Sequence, residues 1–173
     1  MRKILLLVIA TLMITVNIYA QGSLTSRVYH CGNMMAGELN QVKKEVKDIS
    51  KEAKTNEEKE EVKGMEAIIN AIVSTMTLTF IDDKTVEVNS VVKFDEQKAK
   101  AGGASWLIRK LVKAKLGKKG VDETKQLPYT INGHTIKVVN TKKKKENIFE
   151  LSEDGKSMTY VMDKKKVVLK RTK

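Results

Sequence analysis

Apolar and polar residues alternate in short runs along the C-terminal half of the chain, and turn sequences separate the runs. A period of two is typical of strands that bury one face and expose the other. The pair Asn132-Gly133 favours a tight hairpin turn, because both residue types accept positive φ angles. The pattern predicts five strands, at residues 127–132, 135–140, 147–152, 157–162 and 167–171.

Three further strands are expected in the first half of the chain. Residues 74–81 alternate apolar residues with threonines, and residues 85–94 continue the pattern beyond a turn. A short strand at residues 24–31 brings the number to eight. Eight antiparallel strands can close into a barrel that holds side chains or one small ligand. We therefore expect a mainly β fold, an eight-stranded antiparallel barrel, in a single domain over residues 21–173.

Two segments with helical periodicity follow the first strand. Apolar residues recur at spacings of three and four over residues 35–53 and again over residues 56–72. Thr55 and Glu58 match a capping box, in which each residue accepts a hydrogen bond from the backbone of the other. The pattern predicts a helical hairpin at about residues 35–73, and one long helix bent near Thr55 is the alternative.

A short basic helix is expected at residues 104–116, between the third and fourth strands. On a helical wheel, Trp106 shares a face with Arg109, Lys110 and Lys113, while Leu107, Leu111 and Ala114 lie on another face. An indole flanked by cations suits contact with an anionic membrane or another anionic partner. Alternatively, the lysine stems cover the indole where the helix packs on the barrel.

The first twenty residues have the parts of a secretory signal peptide. Arg2 and Lys3 form a basic start, residues 4–16 are almost entirely apolar, and Ala20 is the small residue that a signal peptidase requires. The apolar run is too short for a stable transmembrane helix. We expect export to the periplasm or extracellular side of a bacterial envelope, with no transmembrane span in the mature chain; an uncleaved anchor is the alternative.

The chain is strongly basic, with 33 Lys and Arg residues, 21 Asp and Glu residues and a formal net charge of +12. Cleavage after residue 20 removes Arg2 and Lys3 and no acid, so the charge becomes +10. Such a surface is attracted to anionic lipids, acidic polysaccharide or nucleic acid. A nucleic-acid partner is not expected, because aromatic residues are few and Tyr129, Phe149 and Tyr160 lie on predicted core faces, which leaves no stacking platform.

Residues with catalytic or metal-binding chemistry are few. His30, Cys31 and His134 show no recognised metal-ligand spacing, and the sequence has no nucleophile motif or glycine-rich phosphate loop. A single cysteine excludes an internal disulfide, and burial is the expected state of its thiol. We therefore expect no enzymatic activity, no metal and no cofactor.

Two C-terminal runs carry a family resemblance. They are LPYTINGHTIKV at residues 127–138 and IFELSEDGKSMTY at residues 148–160, and VVLKR at residues 167–171 follows them. In turn and strand rhythm, residues 74–95 and 127–171 resemble small secreted lipocalin-like barrel domains of Gram-negative bacteria. The first strand lacks the Gly-x-Trp that such domains usually carry. The resemblance implies the barrel fold, and no functional residue is carried over from it.

The expected function is non-enzymatic binding of a small apolar or amphipathic ligand inside the barrel, with the helices as a lid. The residues expected to line the site are Met65, Met76, Leu78, Phe80, Tyr129, Ile131, Phe149, Leu151, Met158, Tyr160 and Met162. The alternative is an envelope interaction or structural protein with a filled barrel, which contacts anionic membrane or a protein partner through its basic helices. A continuous apolar cavity of ~300 Å³ or more would favour the ligand-binding function.

Overall fold

Eight strands and four helices make up the part of the chain that the computed structural model describes, residues 23–116, 120–142, 144–162 and 165–173. The expected signal peptide at residues 1–20 lies outside these residues. The strands are β1 (Val28–Cys31), β2 (Ile72–Phe80), β3 (Thr85–Phe94), β4 (Val121–Asn132), β5 (Thr135–Asn140), β6 (Lys145–Leu151), β7 (Ser157–Met162) and β8 (Lys165–Arg171). The helices are α1 (Ala36–Glu52), α2 (Asn56–Asn70), α3 (Glu96–Ala101) and α4 (Trp106–Leu116).

The strands form one closed antiparallel barrel in sequence order, and β8 returns to β1 through the pairs Tyr29↔Arg171 and His30↔Lys170. The predicted eight-stranded antiparallel barrel is therefore confirmed, with the helical hairpin after β1 and the basic helix between β3 and β4. The turns after β2, β4 and β6 lie at one end of the barrel, which we call the lower end. The helices connect strands at the opposite, upper end.

The lower end of the barrel is sealed by aromatic side chains. Phe80 is fully buried, and its ring packs edge-on against Tyr29 and Tyr129, with ring centroids 6.1 and 4.9 Å away. Each tyrosine hydroxyl donates to a backbone carbonyl of a lower turn, Tyr29 to Gly155 at 2.8 Å and Tyr129 to Asp82 at 2.9 Å. Burial raises the pKa of the Tyr129 phenol. The buried hydroxyls are thus satisfied within the protein, as buried polar groups require.

The helical hairpin consists of two separate helices, so the alternative of one bent helix is excluded. Thr55 has an extended backbone, with φ −86° and ψ 159°, and its hydroxyl accepts from the Glu58 amide at 3.1 Å. The Glu58 carboxylate accepts from the Thr55 amide at 2.9 Å, which confirms the predicted capping box. These hydrogen bonds, with the Thr55 amide as the main donor, lower the pKa of Glu58. The two helices pack on each other through an apolar cluster that includes Leu39, Val46, Val62 and Ile69.

The connection between β3 and β4 contains a helix that the sequence pattern did not predict. Six-residue α3 is capped by Asp95, whose carboxylate accepts from the Lys98 amide at 2.9 Å. A Cβ atom at Gly102 would lie 2.6 Å from the Ala67 Cβ, so only glycine permits this approach of α3 to α2. Next, α4 begins at Trp106 and not at residue 104 as expected.

Strand β4 is longer than expected and begins at Val121 rather than at residue 127. Residues 121–126 read Val-Asp-Glu-Thr-Lys-Gln, so polar residues occupy both faces and no apolar alternation marks the strand. Pairing with β3 holds these residues in place, from Val92↔Val121 to Glu87↔Gln126. This extension places charged side chains at the upper end of the barrel.

Candidate functional site

A pocket of about 150 Å³ lies in the upper half of the barrel. Its apolar part is formed by Met76, Val88, Leu127, Val138 and Phe149. Its polar part is formed by Ser90, Glu123, Lys125, Asn140, Asn147 and Tyr160. The pocket is therefore amphipathic, with apolar walls deep in the barrel and polar groups towards the upper end.

The strand register explains why polar groups reach the barrel interior. Leu127, Lys125 and Glu123 share the inner face with buried Tyr129, because successive side chains of a strand point to opposite faces. On the adjacent pair of strands, Val138 opposes Asn147. Polar residues at these inward positions stop the apolar core halfway up the barrel.

Several polar groups of the pocket are paired with one another. Lys125 forms an ion pair with Glu123, two residues away on the same face of β4. The Tyr160 hydroxyl donates to Asn147 Oδ1 at 2.9 Å, and the Tyr160 ring stacks on Phe149 with centroids 4.7 Å apart. These contacts hold the polar side chains of the pocket in place without a ligand.

Three of the residues expected to line the site do so: Met76, Phe149 and Tyr160. Four others are buried in the packed barrel core and are not in contact with the pocket: Leu78, Phe80, Tyr129 and Met158. Leu151 is partly buried against that core, and Ile131 is 39% exposed. Met65 packs in the helical hairpin rather than in the barrel. The side chain of Met162 lies outside the described residues.

Sequence reasoning missed the polar residues of the site other than Tyr160. Glu123 and Lys125 lie in the unpredicted part of β4, so their inward orientation could not be read from the sequence alone. Asn140 and Asn147 do continue the alternation of their strands, from Val138 and Phe149 respectively. The alternation of inward and outward positions would therefore have placed both asparagines inside the barrel.

The four residues of α4 that were expected to contact an anionic partner fall into two pairs, one exposed and one bonded within the protein. Trp106 is 62% exposed, and Lys110 Nζ lies 4.7 Å from the centre of its ring. Arg109 instead donates to the Ala104 carbonyl at 2.5 Å, and its buried Nε has no hydrogen-bond partner among the described residues. Lys113 donates to Glu96 at 2.6 Å, and this contact is the main reason that the pKa of Glu96 is lowered. Only Trp106 and Lys110 therefore form an exposed pair.

The face of α4 that carries Leu107 and Leu111 is not the face that packs on the rest of the protein. Ile108 and Val112 contact the small apolar cluster between α2 and α3, whereas Leu107 and Leu111 are 59% and 58% exposed. An open groove separates Leu107 from the first turns of α2, which contribute four glutamates: Glu57, Glu58, Glu60 and Glu61. The exposed apolar face thus has an acidic neighbour on one side and Lys110 on the other.

The candidate metal ligands of the sequence do not come together. His30 Nδ1 lies 3.0 Å from the Thr77 hydroxyl, and the Cys31 thiol is buried as expected. Across the described part of the chain, no three His, Cys, Asp or Glu side chains are placed to hold a metal ion. No helix of that part has the length and apolar character needed to cross a membrane.

The comparisons leave the family of this chain open. No family model matches it, and neither curated proteins nor solved structures give a significant match. The pocket and the exposed surface of α4 are the features of the molecule that indicate a function.

Proposed function

We propose that this protein is an exported, non-enzymatic binding protein for a small amphipathic ligand, held in the upper half of its barrel. The amphipathic pocket is the observation that supports this proposal most. Apolar side chains such as Val88 and Val138 offer a surface for a hydrocarbon or aromatic group, and Lys125 offers a cation to an anionic head. Small-molecule sites combine apolar walls with polar groups that orient the ligand, and this pocket offers both.

The pocket volume limits the size of the group that fits. A cavity of about 150 Å³ accepts a molecule of the size of benzene. The volume is below the ~300 Å³ at the low end of ordinary small-molecule pockets, so the pocket alone does not reach the size that was expected to favour ligand binding. The pocket therefore accommodates a short chain or a single ring, and a longer ligand must extend beyond it.

Calorimetric titration with hexanoate tests the proposal, because this probe has a short apolar chain and an anionic head. We expect saturable binding to the purified protein and a loss of at least about tenfold in affinity for Ser90→Trp, which fills the pocket from β3. Val91→Trp places the same bulk on the outer face of that strand and should bind as the wild type does. Absence of binding to the wild type, or equal binding by Ser90→Trp, would contradict the proposal.

The exposed face of α4 supports a second candidate function, contact with an anionic membrane in the envelope. Trp106, Leu107 and Leu111 form an exposed apolar surface beside Lys110. Aromatic and apolar residues next to a cation suit insertion into the headgroup region of a bilayer. The four glutamates of α2 oppose such contact on the other side of Leu107, so the proposed contact is made by the Trp106 side.

Vesicle cosedimentation distinguishes this second function from ligand binding. Phosphatidylglycerol vesicles should bind the protein and phosphatidylcholine vesicles should not, and Lys110→Gln should weaken that binding severalfold. Lys113→Gln is the matched control, because Lys113 is already paired with Glu96. Equal effects of the two lysine variants would refute a role for the Trp106 side.

A further inference from the structure

The barrel wall is split between β4 and β5 in its upper half. Pairing between these strands runs from Asn132↔Thr135 to Tyr129↔Val138 and stops there. Above that point β4 continues to Val121, paired only with β3 in the described part of the chain. We call the gap beside this free edge of β4 the seam.

Pro128 accounts for the position at which the ladder stops. The next pair in register would be Pro128 with Val139, and a proline has no N–H to donate to the neighbouring strand. The Tyr129 amide donates to the backbone carbonyl of Lys84, on the β3 side, at 2.8 Å. Strand geometry alternates these directions, so the amides of Thr124 and Gln126 face the seam.

The β5–β6 hairpin is separated from its other neighbour as well. Among the described residues, pairing of β6 with β7 covers Leu151↔Met158 to Phe149↔Tyr160 and no higher pair, although β5 and β6 remain paired up to Asn140↔Lys145. The upper half of this hairpin is therefore held to the barrel through side chains such as Asn147. A two-stranded segment of this kind can move outward at the seam without breaking its own ladder.

The seam lies next to the pocket. It forms a cleft of about 500 Å³ that shares Glu123, Lys125, Leu127 and Asn140 with the pocket lining. Gln126 and Thr141 line the seam and not the pocket. Pocket and seam together exceed the ~300 Å³ from which ordinary small-molecule sites begin.

The charges around the seam favour an anionic group. Lys142 lines it on the β5 side, and no carboxylate of the described residues is within ion-pair distance of Lys142. On the β4 side, Lys125 is held by Glu123, which offsets part of its charge. The backbone amides of Thr124 and Gln126 add donors that suit an anionic oxygen.

We infer that pocket and seam form one elongated site for a single-chain amphiphile with an anionic head, whose apolar end occupies the barrel and whose head lies in the seam beside Lys142. This inference rests on the proposed function and extends it. The pocket alone accepts only a short group, whereas the added cleft accommodates the rest of a longer chain. A carboxylate and a phosphate head share the required chemistry.

A chain-length series tests the inference, with hexanoate as the short probe and decanoate, decyl phosphate and decanol as the long probes. We expect decanoate to bind about tenfold more tightly than hexanoate. The double variant Gln126→Trp/Thr141→Trp fills the seam and should remove this advantage while hexanoate binds as before. Thr130→Trp is the matched control, since Thr130 is exposed on the same strand where the ladder to β5 is intact.

The head group is tested by Lys142→Gln. This variant should weaken decanoate and decyl phosphate severalfold and leave decanol unchanged, whereas Lys156→Gln at the lower end should change none of them. If only one of the two anionic probes responds, that head is the one recognised. Equal effects of Lys142→Gln on decanol and on the anionic probes would overturn the proposed head position.

Amide resonances of Thr124 and Gln126 provide a second readout in the wild type. They should shift on addition of decanoate and not on addition of hexanoate. If hexanoate binds but decanoate moves neither amide, the seam is not part of the site and the pocket proposal remains. If neither probe binds the wild type, the proposed function itself fails and the inference fails with it.

Discussion

The two ends of the barrel are built from the same strands but differ in how their inward polar groups are accommodated. At the lower end, the hydroxyls of Tyr29 and Tyr129 donate to backbone carbonyls and the space between them is filled by Phe80. At the upper end, inward positions carry Lys125 and Asn147, and a pocket remains. A closed end stabilises the fold, whereas an open end leaves surface available for binding.

This difference follows from a change of residue type along single strands. On the inner face of β4, Tyr129 is buried, Leu127 is partly buried and Glu123 is exposed. Each step towards the upper end exchanges apolar burial, worth roughly 25 cal/mol per Å², for solvated polar surface. We therefore expect the lower end to contribute most of the free energy of unfolding and the upper end to tolerate substitution.

Leucine truncation at each end gives the largest expected contrast. Leu78→Ala removes a fully buried side chain and should lower the free energy of unfolding by about 3–5 kcal/mol. Leu127→Ala should cost about half as much or less, because Leu127 already borders the pocket and truncation there leaves a smaller new cavity. Urea unfolding of both variants measures the difference. Equal losses would show that the pocket walls are as tightly packed as the lower core.

Removal of a tyrosine hydroxyl at each end should have a smaller effect. Tyr29→Phe leaves the Gly155 carbonyl without its buried donor and should cost about 1–2 kcal/mol. Tyr160→Phe breaks the bond to Asn147 in the open pocket, where water can take the place of the hydroxyl, so a cost below about 1 kcal/mol is expected. Thermal unfolding compares the two. A larger loss for Tyr160→Phe would contradict the distinction between a sealed and an open end.

The elements that the sequence predicted correctly are those with a single regular periodicity of apolar residues. Residues 75–80 of β2 alternate cleanly between threonines and apolar residues, and Thr55 with Glu58 carries its own local signal, so these features were predicted. The upper part of β4 was missed, because the stability of that segment comes from pairing with β3 rather than from its own pattern. Part of the pocket depends on that missed segment, and Glu123 and Lys125 were missed for the same reason.

The interior of the barrel was harder to predict than its strands. Alternation identified inward positions such as Leu78 and Phe149, but period two does not say how far along the barrel a residue lies. Only the register between strands separates the packed lower end from the pocket. Met65 shows the same limit for helices, since its apolar spacing fits packing on α1 as well as packing on a barrel.

The helical hairpin forms an apolar cluster of its own, so a change at its cap should affect the upper end alone. Thr55→Ala removes the hydroxyl that accepts from the Glu58 amide and should cost ~1 kcal/mol. Hydrogen exchange should show faster opening of α2, with the amides of the lower barrel unchanged at matched stability. Thr55→Ser is the control, because it retains the accepting hydroxyl. Uniform acceleration across the barrel would show that hairpin and barrel unfold together.

Removal of a single carboxylate charge at each end should have the smallest effect on the free energy of unfolding. The two ends should differ in how this effect responds to salt. The Lys84 amide is the main reason that the pKa of Asp82, in the lower turn after β2, lies below its ordinary value. A hydrogen bond from the Lys113 ammonium is the main reason that the pKa of Glu96, on α3, is lowered. Because both pKa values are lower in the folded state, each group stabilises the fold above its ordinary pKa and loses this effect as the pH falls through the folded value.

The charge-removing variants Asp82→Asn and Glu96→Gln should therefore differ from the wild type in unfolding free energy near neutral pH and converge with it in strong acid. In about 1 M salt, where screening acts within ~3 Å, the Glu96 difference should shrink because it depends on an exposed ion pair. The Asp82 difference should persist, since its carboxylate accepts from the Lys84 and Thr85 amides at 2.7 Å each. Urea titrations at neutral and acidic pH, with and without salt, measure both. A salt-sensitive Asp82 with a salt-insensitive Glu96 would contradict backbone amides as the main cause at Asp82 and the ion pair as the main cause at Glu96.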